Sequence, residues 1–138
     1  MKNAFKLNIQ VQFKHIDLLG HVNNVEFFTY FEMARVAFIR ENMPGRIGRE
    51  SFPFILAHAS CDYLKPILLG SDLVVHLCTD NIGTKSYQYV YLLTDASDES
   101  IVYAKGESVQ VFYDYSKNTS IEIPPDFRAF LLRFKRGA

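Results

Sequence analysis

From about Asn23 to Asn42, apolar side chains recur at helical spacing and also run round most of the helix. Phe27, Phe31, Ala34 and Phe38 make one stripe, with Tyr30, Ala37 and Ile39 beside it. A helix this apolar has to be buried on several sides, as when a sheet curls round it. Pro44-Gly45 then stops it. Few folds meet that requirement.

The flanking segments supply the sheet. Upstream, Leu7, Ile9, Val11 and Phe13 alternate with Asn8, Gln10 and Gln12, which is the period of a strand with one buried face. Downstream, strands are expected at Phe52 to Leu64, Leu73 to Asp80, Ser86 to Thr94 and Ile101 to Tyr113. Short polar or glycine-bearing turns separate them. Pro124-Pro125 then opens a short helix, about Asp126 to Phe134, with Phe127, Phe130, Leu131 and Phe134 on one side. Strand, long helix and four more strands joined by short turns favour antiparallel neighbours. The expected architecture is an α+β single domain spanning residues 1–138, with one sheet on one central helix. Apolar residues on both sheet faces point to a second subunit.

Composition narrows the function. With Lys+Arg 15 against Asp+Glu 15, the net charge is zero, which lacks the footprint of a nucleic-acid binder. No apolar run approaches the ~20 residues of a membrane span. The alternating first residues do not form a signal-peptide core. Cys61 and Cys78 make neither a disulfide framework nor a metal-type pair. A soluble cytoplasmic domain with two reduced thiols is expected.

The chemistry concentrates where period two gives way to the helix: Asp17-Leu-Leu-Gly-His-Val-Asn-Asn24. Gly20 allows a sharp turn, and a carboxylate arrives just before a helix start, where backbone N–H groups are unpaired and carry the positive end of the helix dipole. Such groups hold a developing oxyanion without a charged side chain. The same residues are also ordinary loop formers, and Asn is a good helix cap, so alone they support only a well-capped loop. His15, Asp17 and His21 match no metal-ligand spacing, so no metal is expected. No Gly-x-Ser-x-Gly elbow is present. Cysteines in strand interiors are usually inert. Glu32 and Arg35, three apart, are expected to pair on the helix.

Asp17, Gly20-His-Val-Asn-Asn24 and Phe31-Glu-Met-Ala-Arg35 together resemble the hotdog-fold acyl-CoA thioesterases, in particular the 4-hydroxybenzoyl-CoA thioesterase-like branch. The likeness continues through Tyr63-Leu-Lys-Pro66, Gly70-Ser-Asp72 and Ile123-Pro124, so it spans nearly the whole chain. It implies a five-stranded antiparallel sheet wrapped round the long helix, and obligate homodimers, often paired into tetramers, with sites at the dimer interface. It implies hydrolysis of an acyl-CoA without a cofactor. Asp17 would be nucleophile or general base, and the Asn24 N–H the oxyanion donor. His21 would bond the loop, touch substrate or orient Asp17, and Asn23 would cap the helix or bond substrate. Thr84, Lys85 and Ser86 would lie near coenzyme A phosphates, with Lys65 a second basic candidate. Phe28, Tyr30 and Phe54 would line an aromatic acyl slot. Two rivals stay open: acyl-carrier protein as the donor, or a non-catalytic acyl-CoA binding module.

Overall fold

The computed structural model describes residues 1–45 and 54–137. Its elements are β1 (Phe5–Gln10), α1 (Asn24–Asn42), β2 (Phe54–Tyr63), β3 (Asp72–Asp80), β4 (Ser86–Asp95), β5 (Val102–Asp114), β6 (Thr119–Ser120) and α2 (Pro125–Arg133). The sheet runs β1-β3-β4-β5-β2, antiparallel throughout, and the two-residue β6 adds a short pairing to β5. This is the hotdog arrangement expected from the sequence. Phe52 and Pro53, the expected start of β2, lie outside the described residues.

The sheet closes on α1 through alternation. Leu73, Val75 and Leu77 of β3 point inward with Tyr87, Tyr89, Tyr91 and Leu93 of β4, and all join Phe27, Tyr30, Phe31, Ala34 and Phe38 in one buried core. Phe31 stacks on Tyr91 with ring centroids 4.4 Å apart. Gly106 on β5 leaves room for that pair, since a Cβ there would come within 2.4 Å of the Phe31 ring. Phe127, Phe130 and Leu131 of α2 cap the far end of the core against Phe38, Tyr87 and Phe112.

One local expectation is corrected and another gains a buried partner. β1 ends at Gln10, the chain tightens into a 3-10 turn at Phe13–His15, and Phe13 is 82% exposed rather than a buried strand residue. Period two ran on in the sequence, but the Val11 N–H is taken by Ser71 O, and the His15 N–H turns back to Gln12 O. The expected Glu32–Arg35 ion pair is present at 4.0 Å, and Arg35 is also buried, donating to Tyr91 Oη at 3.1 Å. Burial in a hydroxyl-lined layer sets the position of Arg35, and the pair on the helix surface is secondary.

Candidate active site

The site begins with a miniature hairpin. Ile16 and Val22 form an antiparallel bridge, the Asp17 N–H donates to His21 O at 3.0 Å, and the Gly20 N–H donates to Asp17 O at 3.0 Å. Gly20 supplies the positive φ (81°) that the turn needs. Asp17 is half-buried, and its Oδ1 accepts the Leu19 N–H at 2.9 Å. One carboxylate oxygen is therefore pinned by the turn, and among the described residues the other has no hydrogen-bond partner.

The hairpin is docked at both ends. His21 bridges to Leu68, the Val22 N–H donates to Ile67 O at 2.8 Å, and the Asn23 N–H donates to His15 O at 2.8 Å. Asn23 then caps α1, its Oδ1 accepting the Val25 N–H at 3.0 Å while its backbone O accepts the Glu26 N–H at 2.9 Å. Those bonds satisfy two of the first-turn donors. The N–H of Asn24 has no acceptor among the described residues. Asn24 O accepts the Tyr63 hydroxyl at 3.0 Å, and Tyr63 packs edge-on against Phe27, which ties the helix start to the end of β2.

Beneath the hairpin, buried His15 and Tyr30 join Glu26 in a set that their spacing in the sequence does not bring together. His15 is 6% exposed. Its Nδ1 lies 2.9 Å from Tyr30 Oη and accepts the Gln12 N–H at 3.2 Å, and its Nε2 lies 3.4 Å from Glu26. With an N–H aimed at Nδ1, the ring proton sits on Nε2, toward the carboxylate. Burial, and secondarily the Glu26 charge, pushes the Tyr30 hydroxyl up to about 12, so it remains a donor. Tyr30 has no exposed surface, which removes it from a slot open to substrate and makes it a support for the turn. The one hint in the sequence was His15 itself, a ligand-type residue just before Asp17.

The remaining candidates divide into two groups at opposite ends of the sheet. Lys65 follows Tyr63 at the hairpin end, with its N–H on Tyr103 O at 3.2 Å, and Phe28 lies on the open side of α1, 36% exposed. The His21 ring is half-buried and makes no hydrogen bond among the described residues. Thr84, Lys85, Ser86 and Phe54 lie at the other end. The Phe112 N–H donates to Lys85 O at 2.8 Å, Ser86 pairs with Val111, and Phe54 pairs with Phe112. Arg128 of α2, also unforeseen, clamps this second turn by donating to Gly83 O at 2.5 Å and Thr84 O at 3.4 Å. The length of β3 separates the groups, on the order of 30 Å for a strand of nine residues at about 3.3 Å each.

Cysteine chemistry finds no support, because burial and the Asp62 charge push the Cys61 thiol up to about 11 and burial also raises Cys78. Among the described residues, no three His, Cys, Asp or Glu side chains gather into a metal-type group. Among the described residues, no helix is long and apolar enough to cross a membrane.

Known proteins are similar to this chain in sequence and in fold. A 1,4-dihydroxy-2-naphthoyl-CoA hydrolase from Nostoc punctiforme is 27% identical, over 98% of this chain and 91% of that one. A thioesterase from Thermus thermophilus, solved in complex with coenzyme A and Zn, is 31% identical with a TM-score of 0.79, covering 91% of this chain and 95% of that one. A predicted thioesterase from Bacillus stearothermophilus shares the fold with a TM-score of 0.87 at 23% identity, over 96% of both chains. The model of the thioesterase-like superfamily matches residues 11–131. That span runs from the end of β1 into α2 and takes in both ends of the sheet, so the chain belongs to the thioesterase-like superfamily, as a thioester hydrolase of the hotdog fold.

Proposed function

We propose that the protein is an acyl-CoA thioesterase acting as a homodimer, with Asp17 as the attacking group or general base and the Asn24 N–H as oxyanion donor. The observation that carries this reading is the unpaired Asn24 N–H at the start of α1, held by the same hairpin that pins one oxygen of Asp17. A thioester carbonyl docked at the helix start would be polarised by that N–H and the helix dipole. The other Asp17 oxygen would add to the carbon, giving a mixed anhydride and releasing the thiolate of coenzyme A, with water then cleaving the anhydride. Alternatively it would take a proton from a water that adds directly.

Two observations favour the dimer and the CoA donor. β2 is an edge strand of ten residues, and Ile55, Leu56 and Tyr63 on it are 38%, 47% and 44% exposed. Antiparallel pairing of this edge with its own copy would bring the Tyr63 and Asn24 end of one chain to the Phe54 and Lys85 end of the other. The two groups separated within a chain would then share one groove. Lys85 would meet phosphate, Phe28 and Phe54 would line the acyl path, and Lys65, His21 and Asn23 would border the thioester. The relatives named for a CoA ester and for bound coenzyme A support the same donor. The two free thiols fit a reducing, cytoplasmic location.

The test is purified Asp17→Asn on a panel of aliphatic and aromatic acyl-CoAs. A kcat lower by about 10²–10⁴-fold with the fold intact is the expected result. Wild-type turnover in that variant would remove Asp17 from the mechanism. Hydrolysis of acyl-carrier-protein esters but of no CoA ester would change the donor.

A further inference from the structure

The turn that carries Asp17 presents two leucines to solvent, Leu18 fully exposed and Leu19 79% exposed. The His21–Leu68 bridge is antiparallel, so it brings Leu69 beside Gly20 at the tip of the same turn. Leu68 and Leu69 are themselves 55% and 52% exposed. Lone exposed leucines are ordinary, but four gathered from two loops beside Asp17 mark a surface that something covers. An open hollow of about 620 Å³ adjoins them, between residues 68–72 and 95–97, where the start of β3 meets the end of β4.

Position and charge narrow what covers it. In the sheet, β4 and β5 stand between β3 and β2, roughly 14 Å at the usual strand spacing, so pairing through the β2 edge leaves these leucines bare. Residues 13–21, 64–72 and 95–99 carry two lysines against five carboxylates. That rim repels an acidic protein or an anionic bilayer and is indifferent to an uncharged hydrocarbon. Resting on the acyl-CoA reading above, we propose that the four leucines are a shelf for the alkyl chain of the acyl group, and that the substrates are straight-chain rather than compact aromatic acyl-CoAs. The direction follows from the thioester, whose two substituents diverge from the carbonyl carbon. With the carbonyl oxygen on the Asn24 N–H and coenzyme A led over the β2 edge toward the Lys85 turn of the other chain, the acyl group leaves on the side of Asp17. Phe28 meets its first carbons and the leucines the rest. The shelf is open on one side, so it takes chains of different length and covers about half of each methylene.

The experiment measures binding apart from turnover, by calorimetry of full-length protein with S-ethyl-, S-hexyl- and S-decyl-CoA, thioethers that cannot be hydrolysed. Beside it, kcat/KM is measured for acetyl-, hexanoyl-, decanoyl- and benzoyl-CoA. Wild-type affinity is expected to rise by about twofold for each methylene that lies on the shelf, since half-covered methylenes gain about half of what full burial gives. Leu18→Ser and Leu69→Ser, both on exposed turns and checked by thermal melts, should each weaken S-decyl-CoA by about 5–10-fold and leave S-ethyl-CoA within about twofold. Values of kcat/KM should follow the same order, with decanoyl-CoA above benzoyl-CoA. An affinity that does not change with chain length, a loss equal for S-ethyl- and S-decyl-CoA, or benzoyl-CoA as the preferred substrate would each overturn the shelf. So would serine variants that keep their S-decyl-CoA affinity and instead change solution mass or binding to phosphatidylcholine vesicles, which would give the leucines to a second copy or to lipid. The two readings part here: flat chain dependence with hydrolysis intact removes the shelf alone, while a thioether slope without any turnover removes the catalysis and keeps the shelf.

Discussion

The Nε2 of His15 lies 3.4 Å from the Glu26 carboxylate, which ties the strand side of the Asp17 hairpin to the first turn of α1. Together with Tyr30 Oη on Nδ1 and Asn23 N–H on the His15 carbonyl, this contact sets where the helix start sits relative to the carboxylate. On the proposed mechanism His15 would therefore act as a positioning residue. His15→Ala is expected to lower kcat by about 10–100-fold, more than it changes KM, because misplacement harms the reacting geometry rather than CoA binding. Glu26→Gln keeps an acceptor for Nε2–H and should retain most activity, whereas Glu26→Ala should not. Steady-state kinetics on purified, folded variants checks this. A His15→Ala enzyme with wild-type kcat would leave His15 as packing alone.

The Asn24 N–H can be deleted by proline, with alanine as the control for the lost side chain. Asn24 is the first helical residue, where proline is well tolerated because its missing N–H is one that the helix does not use. Asn23 has φ −58° and ψ 137°, the extended geometry that a residue before proline requires. Asn24→Pro should therefore fold with little loss of stability and yet lose about 10²–10³-fold in kcat, the effect of removing one oxyanion donor. Asn24→Ala, which keeps the N–H, should remain near wild type. Thermal melts beside kcat for the two variants make the comparison. Equal activity in both would place the oxyanion elsewhere.

Most of the fold was legible because alternation and helical period report burial directly. The ends of α1 and β3 fall within a residue of expectation. The turn at Gly20 and the cap at Asn23 were legible from loop chemistry, whereas the roles proposed for Asp17 and Asn24 came from the family resemblance. What escaped depended on long-range contacts. Period two could not reveal that the Val11 N–H would be taken by Ser71, ending β1 and exposing Phe13. Nor could spacing reveal that Tyr63 would reach Asn24, or that Arg128 would reach Gly83 from 45 residues away. Tyr30 illustrates a further limit, since on the helix it looks like any aromatic beside the site, and only its contact with His15 shows that it faces inward.

His76 makes stability depend on pH in a definite direction. It is buried on β3 with Nε2 3.0 Å from Thr94 Oγ1, and its Nδ1 has no partner among the described residues. Burial lowers its pKa below 6.5, with Lys6 and the N-terminus adding to the effect and Glu99, 3.8 Å away, opposing it. Near 6.5 the unfolded chain accepts a proton that the folded chain refuses. The contribution is thus full above that pH and drains as pH falls from there to the folded value. Asp95, Asp98 and Glu99, lowered from 3.8, 3.8 and 4.5, act only at more acidic pH. Urea unfolding should show wild type losing stability as pH falls through and below 6.5, and His76→Gln losing distinctly less. The same loss in both proteins would assign the change to other groups.

The separation of Asp17 from Lys85 along β3 makes a prediction that a single-chain site does not. If Asp17 of one chain works with Lys85 of the other, two crippled chains can complement each other. Asp17→Asn should lose kcat, and Lys85→Glu should raise KM by placing a carboxylate where phosphate would bind. A mixed dimer then holds one site with both defects and one with neither. Co-refolding equal amounts should place about half the chains in mixed dimers and restore about a quarter of wild-type activity at subsaturating acyl-CoA. Mixing without co-refolding should restore none, because exchange requires the β2 edges to part. If each site were built within one chain, every site in the mixture would carry one defect and no activity would return. Recovered activity therefore reads directly whether the helix start and the Lys85 turn of different chains face one substrate.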